Sequence, residues 1–397
     1  MNEQELRHLL TSSVEDVLPS QPATAGWERA GRTRRNRRAA GAVALAVALA
    51  GGGTVAALRP PDQPVLVPPI ASTVTPSAGP RATGPVQRPP AELTFRPDPL
   101  ARLGDPVTVP LSERPVQRAL ALFQPLDEEG RADGPVRVLG DDGVVRGLDV
   151  VTLAPTRDAG GNEAAALKPG VLSPDGRSAA FPQTGELIMV DLTTAAVRRT
   201  PLDGYLELAV WAGDRVLVGG DSRTYAVDRI SGAASPIDVS AWDVVAPDPS
   251  AGSAAGLVES VGEWGGPKLR SRDAGGGTIR SEQRVSGSAL PLPYQVNEFY
   301  GRGWLHGQRL AQAAWITSGQ IDGAEGVAVL DARTGAVTHL LNLGRERAKG
   351  CCPVLGWDGW GAVLLRLEPA ALARWNPDTG EITGILRDLR GVIALAG

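Results

Sequence analysis

One short motif recurs six times in this 397-residue chain, and it constrains the fold more than any other feature. An apolar run ends in Asp or Asn, a few turn residues and a small residue follow, and a second strand-like run begins. An Asp side chain can hydrogen-bond the backbone of its own turn, and Gly can adopt the positive φ that a returning chain needs. Each copy therefore predicts a β-hairpin. The four clearest copies are VDLTTAAV at 190–197, VDRISGA at 227–233, LDARTGAV at 330–337 and WNPDTGEI at 375–382.

The spacing of the copies predicts how the hairpins assemble. With two weaker copies, the hairpins start at positions 141, 191, 228, 273, 331 and 376, about 47 residues apart on average. A repeat of that length is typical of one four-stranded propeller blade. We therefore expect an all-β fold, a β-propeller over residues 100–397, with six blades. Seven blades are the alternative, because 286–304 is long enough to hold extra strands.

A second element precedes the hairpins and carries a resemblance to a known family. It is clearest in LSPDGRSAAF at 172–181, where a Pro-Asp-Gly turn starts a strand. The whole stretch LSPDGRSAAFPQTGELIMVDLTTAAVRR at 172–199 resembles the blade signature of TolB-like and WD40-like β-propellers. The Trp-Asp dipeptide of WD40 blades is not repeated here, so the TolB-like side is favoured. The resemblance implies no activity, because propellers host both enzymes and scaffolds.

A membrane segment is expected near the N-terminus. Residues 39–58 are uncharged, and twenty helical residues span about 30 Å, one hydrocarbon thickness. Residues 29–38 carry six Arg, which favours a cytoplasmic N-terminus. The segment predicts a single transmembrane helix in the lipid bilayer of the cell membrane, with the propeller extracytoplasmic. The alternative is a cleaved signal sequence with a small-residue site at Val55-Ala56-Ala57, which would leave a secreted protein.

The segments on either side of 39–58 have distinct compositions. Within the cytoplasmic segment 1–38, residues 2–18 show one apolar stripe at helical spacing. This amphipathic helix would lie on the inner membrane surface or dock a cytoplasmic partner. Residues 59–99 contain 12 Pro in 41 positions, which predicts an extended, disordered linker. The whole layout resembles single-pass membrane propeller proteins of actinobacteria.

Composition excludes several classes of function. The net charge of −4 argues against a nucleic-acid partner that needs a basic field. With three His and two Cys, a Cys/His zinc site or a haem-attachment motif is nearly excluded. No catalytic Ser motif is present. We therefore expect no catalytic residues, no cofactor and no metal. The carboxylates of the turns are expected to cap those turns; they are Asp141, Asp142, Asp175, Asp191, Asp228 and Asp331.

Two pairs of residues stand out as candidate sites. Trp357 and Trp360 flank a Gly-containing turn and are candidates for an exposed aromatic patch, whereas other Trp residues are expected to pack between blades. Cys351 and Cys352 are the only cysteines and are disulfide candidates. Adjacent Cα atoms lie closer than a disulfide normally requires, yet an oxidising compartment favours a bond. A vicinal disulfide, two free thiols and an intermolecular bond all remain open.

The sequence therefore predicts a membrane-anchored extracytoplasmic propeller that acts as a non-catalytic binding or scaffold module. Its ligand would be a protein, a peptide or an envelope glycan. One alternative is transmembrane signalling, with a sensing propeller and an active cytoplasmic tail. A second alternative is an envelope hydrolase or lyase that uses carboxylates gathered in the propeller channel.

Overall fold

The computed structural model describes residues 84–397, apart from 221–222, 249–255, 264–265, 274, 319–320, 346, 348–351 and 368–369. The predicted segments 1–38 and 39–58, and most of 59–99, lie outside the described residues. No helix in the described part of the chain is long and apolar enough to cross a membrane.

The described chain consists of strands and one 3-10 helix, Pro99–Gly104. In chain order the strands are β1 (Val86–Gln87), β2 (Thr94–Phe95), β3 (Val109–Pro110), β4 (Ala119–Pro125), β5 (Arg137–Gly140), β6 (Val145–Gly147), β7 (Thr156–Arg157), β8 (Glu163–Ala164), β9 (Ser178–Gln183), β10 (Glu186–Asp191), β11 (Ala196–Pro201), β12 (Leu208–Ala212), β13 (Arg215–Gly219), β14 (Thr224–Asp228), β15 (Ala234–Ile237), β16 (Val258–Glu263), β17 (Gly266–Arg272), β18 (Ile279–Arg284), β19 (Gln295–His306), β20 (Arg309–Ser318), β21 (Ile321–Asp331), β22 (Val337–Gly344), β23 (Val354–Trp357), β24 (Val363–Leu367), β25 (Ala371–Trp375), β26 (Ile382–Leu386) and β27 (Gly391–Leu395).

Six antiparallel sheets follow one another along the chain as the blades of a β-propeller, which confirms the predicted fold and blade number. Blade 3 runs outward from the axis as β12–β13–β14–β15, and blades 5 and 6 run as β19–β20–β21–β22 and β23–β24–β25–β26. Blades 2 and 4 contain β9–β10–β11 and β16–β17–β18. Their innermost position is marked by single bridges, Leu172 to Ala179 and Val244 to Glu259. Residues 286–304 form the loop into blade 5 and most of β19, so they hold no seventh blade.

The last strand closes the ring. β27 is the innermost strand of blade 1, where it pairs antiparallel with β4 and is followed outward by β5 and β6. In this register Ile393 lies opposite Phe123, and Leu395 lies opposite Ala121. The first blade is therefore built from both ends of the propeller sequence.

The apolar core lies between neighbouring blades. Strands covered on both sides read as nearly continuous apolar runs, as in β10 and β13, whereas the outer strands β11 and β18 are mostly exposed. Trp211 and Trp375 are buried in clusters shared by neighbouring blades, as expected. Trp315, expected to pack in the same way, is only partly buried.

All six Asp or Asn turns join the third strand of a blade to its outer strand. Because successive strands are antiparallel, these turns lie on one face of the disc, which we call the Asp-turn face. The turns between first and second strands, such as 174–176, open on the same face. Oδ1 of Asp331 accepts hydrogen bonds from the backbone N–H groups of Arg333 (2.8 Å) and Thr334 (3.0 Å). The expected turn-capping role is confirmed here and at Asp191 and Asp228.

The ordered propeller domain begins earlier than the expected boundary at residue 100. Residues 84–110, which we call the belt, run along the outer edges of three blades. β1, β2 and β3 each pair in parallel with an outer strand, β22, β26 and β6 respectively. Residues 84–99 are Pro-rich and yet ordered, because the exposed sheet edges of blades 5 and 6 offer backbone partners that a composition count does not include.

One turn of the six carries strain. Three of the other turns place Gly four residues after the Asp or Asn with φ between 72° and 74°, at residues 232, 335 and 380. Blade 2 has Ala195 there, with φ 60°. A Cβ crowds the backbone in this left-handed conformation.

We expect Ala195→Gly to raise the free energy of unfolding by about 0.5–1 kcal/mol. The left-handed conformation costs an L-residue about 1–2 kcal/mol, and the added chain entropy of Gly costs about 0.5–1 kcal/mol. Chemical denaturation measures the change. Ala196→Gly, at the start of β11, is the matched control and should lower stability. A loss of stability in both variants would contradict the assignment of strain to Ala195.

Candidate functional site

A pocket of about 270 Å³ opens where the belt meets blade 6. We call it the belt pocket. The belt contributes Arg96, Pro97 and Asp98 to its wall. Blade 6 contributes the remainder, which comprises Asp358, Trp360, Ala362, Arg374, Asn376, Glu381, Thr383, Gly384 and Ile385.

Parallel pairing of β2 with β26 places the belt beside the pocket. Thr94 lies opposite Thr383 and Phe95 lies opposite Gly384, and the N–H of Arg96 donates to the carbonyl of Gly384 at 3.1 Å. A Cβ on Gly384 would lie 2.5 Å from the Phe95 ring, so only Gly lets this ring rest on β26. The close packing of these two residues therefore positions the three belt residues of the pocket.

The pocket floor is a chain of three charged side chains. Arg374 lies between two carboxylates, with Nη1 2.9 Å from Oδ2 of Asp98 and Nε 2.6 Å from Oδ2 of Asp358. The Asp358 contact is an ion pair without hydrogen-bond geometry. The Asp98 and Asp358 side chains are 6% and 8% exposed and that of Arg374 is 33% exposed, so the carboxylates are shielded from solvent and the guanidinium is partly accessible.

The other carboxylate oxygens of the floor are also engaged. Oδ1 of Asp98 accepts the N–H of Leu100 (2.8 Å) and caps the 3-10 helix. Oδ1 of Asp358 accepts the N–H groups of Trp360 and Ala362, both at 2.9 Å. General acid–base catalysis requires a group that can exchange a proton with a substrate. Carboxylates held in this way are suited to recognition and to structural support.

The rim of the pocket is more open and carries the remaining charges. Arg96 and Glu381 form an ion pair at 2.6 Å, and both side chains are at least half exposed. An exposed pair of this kind contributes little to stability. The lining carries three carboxylates and two guanidinium groups, which gives a formal charge of −1.

Trp360 is the exposed aromatic residue of the pocket. Its side chain is 91% exposed, on the turn that joins the first and second strands of blade 6. The Asp358 carboxylate fixes the backbone of this turn, so the indole is presented from a rigid base. Trp360 therefore lies on the Asp-turn face.

Trp357 does not join Trp360 in an exposed patch. It is 6% exposed, and its indole N–H donates to the carbonyl of Trp304 at 2.8 Å. His306 stacks against the Trp357 ring with the ring centroids 5.5 Å apart, and the guanidinium of Arg309 lies 5.3 Å from its centroid. The two Trp residues were expected to form one exposed patch, but only Trp360 is exposed. Trp357 is the last residue of β23 and packs against blade 5, whereas Trp360 lies in the turn beyond the strand.

Of the two disulfide candidates, Cys351 and Cys352, only Cys352 is among the described residues. Cys352 is fully buried in the apolar cluster between blades 5 and 6. Cys351 lies outside the described residues, so the redox state of the pair stays a prediction. Among the described residues, no cluster of three or more His, Cys, Asp or Glu is arranged to hold a metal ion.

Sequence reasoning missed the belt and the floor of the pocket. Asp98 was assigned to a linker without chemistry, although Asp followed by Pro is a typical start of a helical turn. No sequence pattern marks Arg374 as part of a site, because an isolated Arg in a strand is ordinarily a surface residue. Its two carboxylate partners are 276 and 16 positions away in the sequence.

Comparison with solved structures finds similar folds at low sequence identity. BamB from Moraxella catarrhalis is 17% identical, with 68% of this chain and 76% of that chain covered, at a TM-score of 0.34. TolB from Acinetobacter baumannii is 15% identical, with 70% and 66% covered, at a TM-score of 0.43. A chain of a nidogen/laminin complex is 11% identical, with 70% and 98% covered, at a TM-score of 0.42. No protein-family model and no curated protein sequence matches this chain.

The propeller fold implied by the resemblance to TolB-like propellers is the fold observed in the sheet order. These solved structures indicate neither an activity nor a partner for this chain. The number of blades is taken from the sheet order described above.

The two Trp residues should respond differently to truncation. We expect Trp357→Ala to lower the free energy of unfolding by about 3–5 kcal/mol, because it empties a packed site. We expect Trp360→Ala to change it by less than about 0.5 kcal/mol, because the ring is exposed. Chemical denaturation of both variants measures the difference, and equal losses would contradict the division of the pair.

Proposed function

We propose that this chain is a membrane-anchored extracytoplasmic binding propeller. In this proposal the belt pocket receives one group of a protein, peptide or envelope-glycan partner. The supporting observation is the exposed indole of Trp360 beside a pocket whose polar floor is held rigidly by its own ion pairs. Rigid aromatic anchors beside a pocket carry much of the energy of interfaces, and a preorganised polar floor supplies orientation.

A non-catalytic role agrees with the bonding of the floor. Each carboxylate oxygen of Asp98 and Asp358 already contacts a backbone N–H or Arg374. Proton transfer at either group would first require the loss of one of these contacts. Binding requires no such rearrangement, so recognition is the function that this geometry supports best.

The location in the cell is part of the proposal and rests on the sequence. The uncharged segment 39–58 would anchor the chain in the lipid bilayer, with residues 1–38 in the cytoplasm and the propeller outside. Secretion after signal cleavage is the competing arrangement. Residues 2–18 would lie on the inner membrane surface or bind a cytoplasmic partner. In the second case the protein would signal across the membrane.

Protease shaving of intact cells that carry epitope tags at both ends tests the topology. We expect a membrane-bound full-length chain that loses only its C-terminal tag, because an anchored helix keeps the N-terminal tag inside. A soluble form without its first 50–60 residues would instead establish a cleaved signal. That form would also end the signalling alternative.

Arrays of peptides and of envelope glycans, probed with the detergent-solubilised full chain, test the binding site. We expect Trp360→Ala to weaken the strongest interaction at least tenfold, which is about 1.4 kcal/mol. Ile230→Ala is the matched control, because Ile230 is an exposed apolar residue in the Asp228 turn of blade 3. Binding that both variants retain in full would contradict the assignment of the pocket.

A further inference from the structure

The innermost strand of blade 5 carries a bulge that projects toward the propeller axis. Tyr300 pairs with Ala313 and Trp304 pairs with Ala311, so residues 301–303 lie opposite the single residue Gln312. The Gln312 side chain donates to the carbonyl of Gly301 at 2.9 Å, and Gly301 has φ 64°. A bulge on an innermost strand redirects a side chain, and here that side chain is Arg302.

The guanidinium of Arg302 reaches the inner parts of three other blades. Nη1 donates to the carbonyl of Val244 (2.7 Å) and Nη2 donates to the carbonyl of Ala241 (3.4 Å), both at blade 4. A Cβ on Gly170, at the entry to blade 2, would lie 3.6 Å from Nε of Arg302 and 3.1 Å from the carbonyl oxygen of Ala209 in blade 3. Blade 5 stands opposite blade 2 in a ring of six. Arg302 therefore lies where the inner strands converge.

The charge of Arg302 has no counter-charge in the described part of the chain. No described carboxylate forms an ion pair with its guanidinium, and the contacts of that group there are backbone carbonyls. Burial lowers the pKa of Arg302 to about 10, so the group stays protonated at neutral pH. Lys168 and Glu207 are also buried on these inner segments, where burial lowers the pKa of Lys168 to about 7 and attraction to Glu207 acts against this shift.

A purely structural link would not need this charge. A guanidinium has five N–H donors in a planar fork, and the two carbonyl contacts use only part of them. A buried cation without a counter-ion is costly, and a neutral amide can bridge two carbonyls without that cost. Arg302 is intermediate in exposure as a whole residue, and its guanidinium is the buried part. A guanidinium that keeps unused donors matches the bidentate geometry of carboxylate and phosphate groups.

We propose that the axial channel of this propeller binds a small oxyanion, a carboxylate or a phosphate, at the guanidinium of Arg302. The site lies at the axis, whereas the belt pocket lies at the outer part of blade 6. The two proposals can therefore fail separately. The bound anion would also link blades 2 to 5 through a group that all four approach.

Thermal unfolding of the full chain in detergent tests the proposal, with inorganic phosphate and succinate titrated separately against NaCl at constant ionic strength. A ligand that binds only the folded state raises Tm with its concentration. We expect a rise with at least one of the two probes that NaCl does not reproduce. The comparison of the two probes distinguishes a phosphate site from a carboxylate site. No rise with either probe would overturn the proposal.

Substitutions assign the effect to Arg302. We expect Arg302→Gln, which keeps a donor for the carbonyls, to lose at least tenfold in apparent affinity for the effective anion. Arg198→Gln is the matched control, because Nη1 of Arg198 also donates only to backbone carbonyls, those of Arg229 (2.9 Å) and Ile230 (2.7 Å), on the exterior. It should retain the wild-type response. An unchanged response in Arg302→Gln would overturn the proposal.

A folding defect in Arg302→Gln does not prevent the test. Arg302→Lys keeps the charge but replaces the planar fork by a single ammonium group, so the apparent affinity should fall severalfold. Isothermal titration calorimetry of the wild-type chain with the effective anion is independent of any variant. Saturable binding with a stoichiometry near one is expected, and an absence of saturable binding would refute the site.

Discussion

Closure of the ring by β27 is the interaction on which the other features of the structure depend. Each blade buries its apolar faces against two neighbours, so an open ring would expose two such faces and the backbone edge of β4. β27 supplies the missing inner strand of blade 1, and Ile393 and Leu395 join the apolar cluster between blades 6 and 1. Because β27 follows blade 6 along the chain, the ring closes only when all six blades are present.

The belt covers exposed strand edges on the outside of the disc, as β27 covers the edge of β4 on the inside. Outer strands present unpaired backbone groups, and the belt pairs with those of blades 5, 6 and 1. In doing so it brings Asp98 to Arg374 and creates a pocket from two segments that are remote in sequence. The candidate site is therefore a consequence of how an exposed sheet edge is covered.

Two arginine residues show different ways to place a cation inside this fold. Arg374 lies between two shielded carboxylates, which makes it part of a rigid floor. Arg302 lies among backbone carbonyls at the axis, where its charge is available to an anion. The hypothesis of a hydrolase relied on carboxylates gathered in the channel. Among the described residues, the inner segments bring the guanidinium of Arg302 there, together with Lys168 and Glu207.

The sequence by itself determined the features whose interactions are local. An Asp that caps its own turn acts within three residues, so the hairpins, their spacing and the blade number could be predicted from the pattern of residues. Trp357 and Trp360 look alike in sequence, but one packs against blade 5 and the other is exposed, because strand position and the neighbouring blade decide their surroundings. The ordered belt, the contact of Asp98 with Arg374 and the axial position of Arg302 depend on partners remote in the chain or supplied by other blades. Only the closed ring brings those partners together, so only the tertiary structure decided them.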